Sequence, residues 1–174
     1  TAFGWLVTFG TAGMIVSISK ILFLGFFIGS RTYNFTGFSG HTTMSSTFWP
    51  VLMWMIAAQR PIFWRRFLII AGYLLPLVIG FSRLELHAHS LSEVVSGAIL
   101  GLCLSSLYLF IQRHTMLKAI TALQLAVFVI LPAWIMVHGQ PATTQQFLAK
   151  LSARLAGIEK PFTRTELLKL HSAN

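Results

Sequence analysis

Acidic side chains are scarce in this sequence: four stand against thirteen basic ones in 174 residues, and charged residues make up only 10% of the whole. A soluble domain carries about 25% charged residues, so the scarcity excludes water as the main solvent of the fold. Cysteine is nearly absent. The single Cys103 excludes a disulfide within the chain, and its apolar setting reads as a buried, inert thiol. No internal repeat or low-complexity tract stands out. An initiator Met is also lacking, and Thr1 opens almost inside an apolar stretch, so earlier residues, and with them another span, are expected upstream.

What is abundant is apolar. Hydrophobic residues make up 55%, and the mean hydropathy is +0.74. Stretches near the ~20 residues needed to cross a bilayer run over 3–29, 42–58, 67–81, 94–111 and 117–137. The expected fold is an all-α polytopic membrane helix bundle of about five spans, six if one precedes Thr1. The third stretch is short and contains Pro76. Residues 1–138 form the transmembrane domain on this reading. In the tail, 139–174, Phe147, Leu151, Leu155 and Ile158 recur every three or four residues among Lys150, Arg154 and Lys160. That pattern predicts an amphipathic helix, either lying on the membrane surface or packed on its own protein.

A net charge of +9 invites a nucleic-acid partner, but its distribution points to membrane lipids instead. Arg60, Arg65 and Arg66 lie between the second and third stretches, and Arg113 and Lys118 between the fourth and fifth. Excess Lys and Arg in short loops marks the cytoplasmic side. The opposite helix ends, carrying His41, Arg83 and His89, then face outward. The tail falls outside as well, where its five basic residues run against the same tendency.

Before residue 138 the only carboxylates are Glu85 and Glu93, within nine positions that also hold His87 and His89. Ionisable groups at membrane depth cost roughly 2.5–3.5 kcal/mol each, which makes them functional candidates by default. A wet interfacial turn is the bland alternative for this segment. A helix from Ala88 to Gln112 would put His89 and Glu93, four apart, on one face, where the carboxylate can fix the imidazole tautomer. The other ring nitrogen is then left as nucleophile or base. His87 points elsewhere and reads as a loop histidine. Arg83 offers a fork of donors suited to phosphate oxygens. Ser39, as a helix cap, and Gly40 supply a hydroxyl and backbone N–H groups at the positive start of the second helix, with His41 in its first turn. Lys20 could snorkel to the same surface. The constellation suits a multiply charged anion. Gly97 and Gly101 are spaced for close helix packing.

These residues resemble the type-2 phosphatidic acid phosphatase superfamily, membrane lipid phosphate phosphatases related to vanadium haloperoxidases. The family pattern is K-x6-RP, then PSGH, then SR-x5-H-x3-D. Here Phe38-Ser39-Gly40-His41 fills the second motif, with Phe for Pro. Ser82-Arg83, His89 and Glu93 fill the third, with Glu for Asp. In the first, Lys20 matches, but Phe27 stands where arginine is expected and Arg31 follows four positions later. The resemblance covers about residues 14–112.

It implies a metal-independent, cofactor-free phosphatase acting on a lipid phosphate or diphosphate. His89 would form a phosphohistidine and Glu93 would orient it. His41 would protonate the leaving oxygen and then activate water. Lys20, Ser39, Gly40, Ser82 and Arg83, with Arg31 as the stand-in arginine, would hold the phosphoryl oxygens. Substrates of the family include undecaprenyl diphosphate, phosphatidylglycerol phosphate, phosphatidic acid and lipid A phosphates. The expected location is a bacterial inner membrane, with the site facing the periplasm or exterior. Lipid-to-lipid phosphotransfer, a metal site on His41, His89, Glu85 and Glu93, and a non-catalytic membrane role are the alternatives. The sequence sets no oligomeric state.

Overall fold

A computed structural model of the chain describes residues 2–115, 121, 126, 130 and 143–169. Six helices appear among them: α1 (Ala2–Phe26), α2 (Gly40–Ala57), α3 (Ile62–Glu85), α4 (Leu91–Ile111), α5 (Thr143–Ala156) and α6 (Arg164–Lys169). The described residues contain no strand, only an isolated bridge between Ser30 and Phe35 that closes the α1–α2 loop. The fold is all-helical. The fifth apolar stretch, 117–137, lies almost wholly outside the described residues, as does His138.

Three helices, α1, α3 and α4, are long and apolar enough to cross a membrane. Their outward faces carry large apolar side chains, such as Phe67, Ile70, Leu74 and Phe81 on α3 and Val95, Ile99 and Leu107 on α4. Lipid is the solvent in which such faces are stable. The third span is longer than its apolar stretch of 67–81 suggests, because α3 continues through Arg65 and Arg66 at one end and Ser82-Arg83 at the other. Arginines at a span's end reach the interface along their own stems. Pro76 does not break α3, where it is fully buried against neighbouring helices.

Helix α2 is different. Its 18 residues include Thr42, Thr43, Ser46 and Thr47, all fully buried. Hydroxyls facing lipid are unfavourable, so α2 takes the interior place and packs chiefly against α3 and α4. Glycines admit it. A Cβ added to Gly72 of α3 would come within 2.9 Å of Met53, and one on Gly101 of α4 would run into the Thr43 carbonyl and Ser46. Gly97 similarly faces Thr43 and the Ser39 backbone. The Gly97–Gly101 spacing thus serves helix approach.

Cys103 departs from the expectation of a buried thiol: it is exposed. On α4 the inward side is set by Gly97, Gly101, Ser105 and Tyr108. Two residues beyond Gly101 is about 200° around the helix, which turns Cys103 outward toward lipid.

The tail is tied to α1. Gly25 gives room for α5, since a Cβ there would meet the Ser152 carbonyl at 2.9 Å. Leu148, Ser152 and Ala153 are buried. Beyond α5, the Phe162 amide donates to the Leu24 carbonyl (2.8 Å), and the Phe162 ring lies 4.7 Å from that of Phe27.

Candidate active site

The site forms where three connections meet: the α1–α2 loop, the α3–α4 turn and the segment after α5. Helix α3 ends at Glu85, and His87 takes a left-handed conformation (φ 52°) that reverses the chain. Glu85 and His87 are both exposed. Ser90 then caps α4, accepting from the Glu93 amide (3.4 Å), while the Glu93 carboxylate accepts from the Ser90 amide (3.3 Å). This reciprocal cap curls Glu93 back over the helix start.

His89 therefore precedes α4 rather than lying on it. The pairing expected from helical spacing still forms, by a different route: Nδ1 of His89 lies 2.7 Å from Oε2 of the back-curled Glu93. A carboxylate can only accept, so Nδ1 carries a proton, and in the neutral ring Nε2 is then the nitrogen with the free lone pair. The His89 side chain is 16% exposed, whereas that of Glu93 is fully buried.

A buried carboxylate needs partners at both oxygens, and Glu93 has them. Its Oε1 accepts from the Thr36 amide (2.8 Å) and hydroxyl (2.5 Å). Arg164, the first residue of α6, brings Nη2 to 2.7 Å from Oε1 and 2.6 Å from Oε2. The loop carrying Thr36 is pinned in turn: the Phe38 amide donates to Ser19 Oγ (3.2 Å), and Gly37, at φ 131°, packs against Ser19 and Lys20. The Ser39 amide donates to the Glu93 carbonyl (3.1 Å), fastening the start of α2 to that of α4.

Around this pair the cations gather. Lys20 lines one cavity with His41 and another with His89, and Arg83 is near enough to His41 for their charges to interact. His41 itself is exposed in the first turn of α2. Ser82 accepts from Arg83 Nε at 3.4 Å. Helix ends, two histidines, a lysine and an arginine converge beside one buried carboxylate. A model of the PAP2 superfamily matches residues 2–117, two-thirds of the chain and all of α1–α4. The chain belongs to the PAP2 superfamily. It is also 39% identical over 171 residues to a Klebsiella pneumoniae protein described as "Uncharacterized 22.5 kDa protein in cps region", covering 97% of this chain and 82% of that protein. No solved structure matches the chain significantly.

PAP2 proteins are phosphatases, and the family's motif positions fall at this junction. Lys20, His41, Arg83, His89 and Glu93 are brought together. Ser39 is fully buried with its hydroxyl 2.9 Å from Thr42 Oγ1, so it faces the bundle and does not cap α2 with its side chain. Arg31 lies in the turn closed by Ser30 and Phe35, and among the described residues its guanidinium makes no hydrogen bond to the site. Phe27, at the PAP2 first-motif arginine position, is left-handed (φ 57°) and holds Phe162. Among the described residues no three His, Cys, Asp or Glu side chains converge as metal ligands.

Two cavities reach this PAP2 site. One, of about 490 Å³, runs along Val16, Met44 and Leu148 to Lys20 and His41. The other, of about 310 Å³, is bounded by Lys20, Thr36, His89, Phe162 and Arg164. Lys20 borders both. Thr36 and Arg164 are the residues that sequence reasoning missed. Thr163 and Glu166 form a capping box, with the Thr163 amide 2.6 Å from Glu166, and hold that carboxyl below its ordinary range. Its T-x-x-E pattern marks a helix start in the sequence, but nothing in the pattern links Arg164 to Glu93.

Proposed function

We propose that this PAP2 protein hydrolyses a lipid phosphate or diphosphate at the outer face of a bacterial cytoplasmic membrane, through a phosphohistidine intermediate. The observation that carries this reading is the His89–Glu93 pair, whose 2.7 Å bond uses Nδ1 and leaves Nε2 for attack. Nε2 attacks phosphorus and forms the P–N bond, while the P–O bond to the lipid or lipid phosphate breaks. His41 gives its proton to the departing oxygen, then takes one from the water that cleaves the P–N bond. Glu93 offsets the positive charge on the phosphorylated ring. Lys20, Arg83 and the N-terminal end of α2 at Gly40 stabilise the equatorial oxygens, where charge develops.

A lipid substrate fits the 490 Å³ cavity, which is apolar along Val16, Met44 and Leu148 and polar at Lys20 and His41. The outer-face assignment rests on Arg60, Arg65 and Arg66 lying at the far ends of α2 and α3 from the site.

The test is phosphate release from phosphatidic acid, phosphatidylglycerol phosphate, undecaprenyl diphosphate and lipid A by the purified protein in detergent. His89→Ala should reduce release by at least about a thousandfold and abolish an acid-labile phosphoenzyme. Unchanged release in His89→Ala would remove the assigned nucleophile.

A further inference from the structure

We infer that the segment after α5 is a working part of the active site, with Arg164 the positioning residue that fixes Glu93 and, through it, the His89 ring. The inference deepens the phosphatase reading and rests on it for its consequence in turnover.

The geometry is specific. Glu93 is fully buried, and Arg164 Nη2 bridges both of its oxygens at 2.6 and 2.7 Å, with Thr36 Oγ1 at 3.2 Å from the same nitrogen. A carboxylate held at both oxygens cannot rotate away, so the oxygen facing His89 stays in place. Helices α1–α4 supply Glu93 with no contacting cation among the described residues: Lys20 acts on it only through space. The guanidinium that neutralises this carboxylate comes from 71 residues further along the chain.

Arg164 is itself held on three sides. The Phe162 amide is bonded to Leu24, and its ring packs on Phe27. The Thr163–Glu166 capping box starts α6 at Arg164. Leu167, one turn later, is 5% exposed. A surface arginine making a chance contact has no such scaffold. Its side chain is still 31% exposed and borders the cavity that also reaches His89, so it acts at the open site and not in a remote core.

Outer partners that orient the histidines of a metal site typically contribute about 10–100-fold, and the same order is expected for an arginine that orients the carboxylate behind a histidine nucleophile. In the purified full chain, Arg164→Met should lower kcat for dioctanoyl phosphatidic acid by about 10–100-fold with KM within about twofold. Arg164→Lys, which keeps a cation, should recover part of the loss. Because Arg164 acts through Glu93, the Glu93→Gln/Arg164→Met double variant should be no slower than Glu93→Gln alone. Independently of turnover, nitrogen NMR of ¹⁵N-histidine-labelled protein should show the His89 signal, identified by its loss in His89→Ala, as the Nδ1-protonated tautomer. Arg164→Met should mix the tautomers. A tautomer unchanged in Arg164→Met, or losses that multiply in the double variant, would overturn the inference. Should Arg164→Met not fold, Arg164→Lys and the double variant, which leaves no unpaired charge, decide by the same readouts. Hydrolysis persisting in His89→Ala would instead overturn the assignment of His89 as the nucleophile, while the tautomer still judges Arg164.

Discussion

Glu93 concentrates the physics of the site in one side chain. It is a buried anion held by four donor groups from three residues besides its cap, and removing one partner of such a pair typically costs about 3–5 kcal/mol, because the remaining charge is stranded. Its length is used. From the third position of α4 it reaches back past the Ser90 amide to His89 while keeping Thr36 and Arg164 on its other side. Glu93→Asp, the usual residue of the motif, is about 1.5 Å shorter and cannot span both. We expect kcat to fall by about 10–100-fold with the protein still folded, measured by phosphate release and thermal melting in detergent. Wild-type turnover in Glu93→Asp would show that this reach is unimportant.

Which residues were legible follows from range. Lys20, His41, Arg83, His89 and Glu93 stand out because polar groups are few in an apolar chain, and each is costly without a use. The His89–Glu93 spacing of four pointed to a true contact, although the capping box and not a shared helix face makes it. Thr36 and Arg164 lie 57 and 71 residues from Glu93, and no local pattern encodes such a pairing.

At the scale of elements, α2 sets the packing problem. Of the four long helices it is the one not apolar enough to stand as a candidate span, because its hydroxyls lower the average. Those same hydroxyls mark it as the interior helix. The ends of α3 were hidden for the opposite reason, since arginines interrupt the apolar run without ending the helix. Placing Leu at Gly101 would force its Cβ into the Thr43 carbonyl and Ser46. Overpacking of this kind costs about 1–3 kcal/mol or more, so Gly101→Leu should melt well below the parent. Gly10→Ala, which meets nothing within 4 Å, should melt at or slightly above it, because alanine is the better helix former. Equal melting of the two variants would contradict the described contact between α2 and α4.

For the whole molecule, the basic α2–α3 connection and the site-bearing α3–α4 turn lie at opposite ends of α3. The outer-face reading makes a topological prediction. In a Cys103→Ser background, His87→Cys should react with a membrane-impermeant maleimide added to intact cells. Gln59→Cys should react only after the membrane is opened; both native side chains are exposed. The reverse pattern would place the chemistry on the cytoplasmic side. The Phe162–Leu24 hydrogen bond, which joins the tail to the end of the first helix, also sets an order of events. Glu93 is synthesised 71 residues before Arg164, so the ribosome delivers the buried carboxylate long before it delivers the cation that neutralises it. On the proposed reading, a chain still emerging into the bilayer carries the His89–Glu93 pair without its counter-ion, and competence coincides with the docking of the segment after α5.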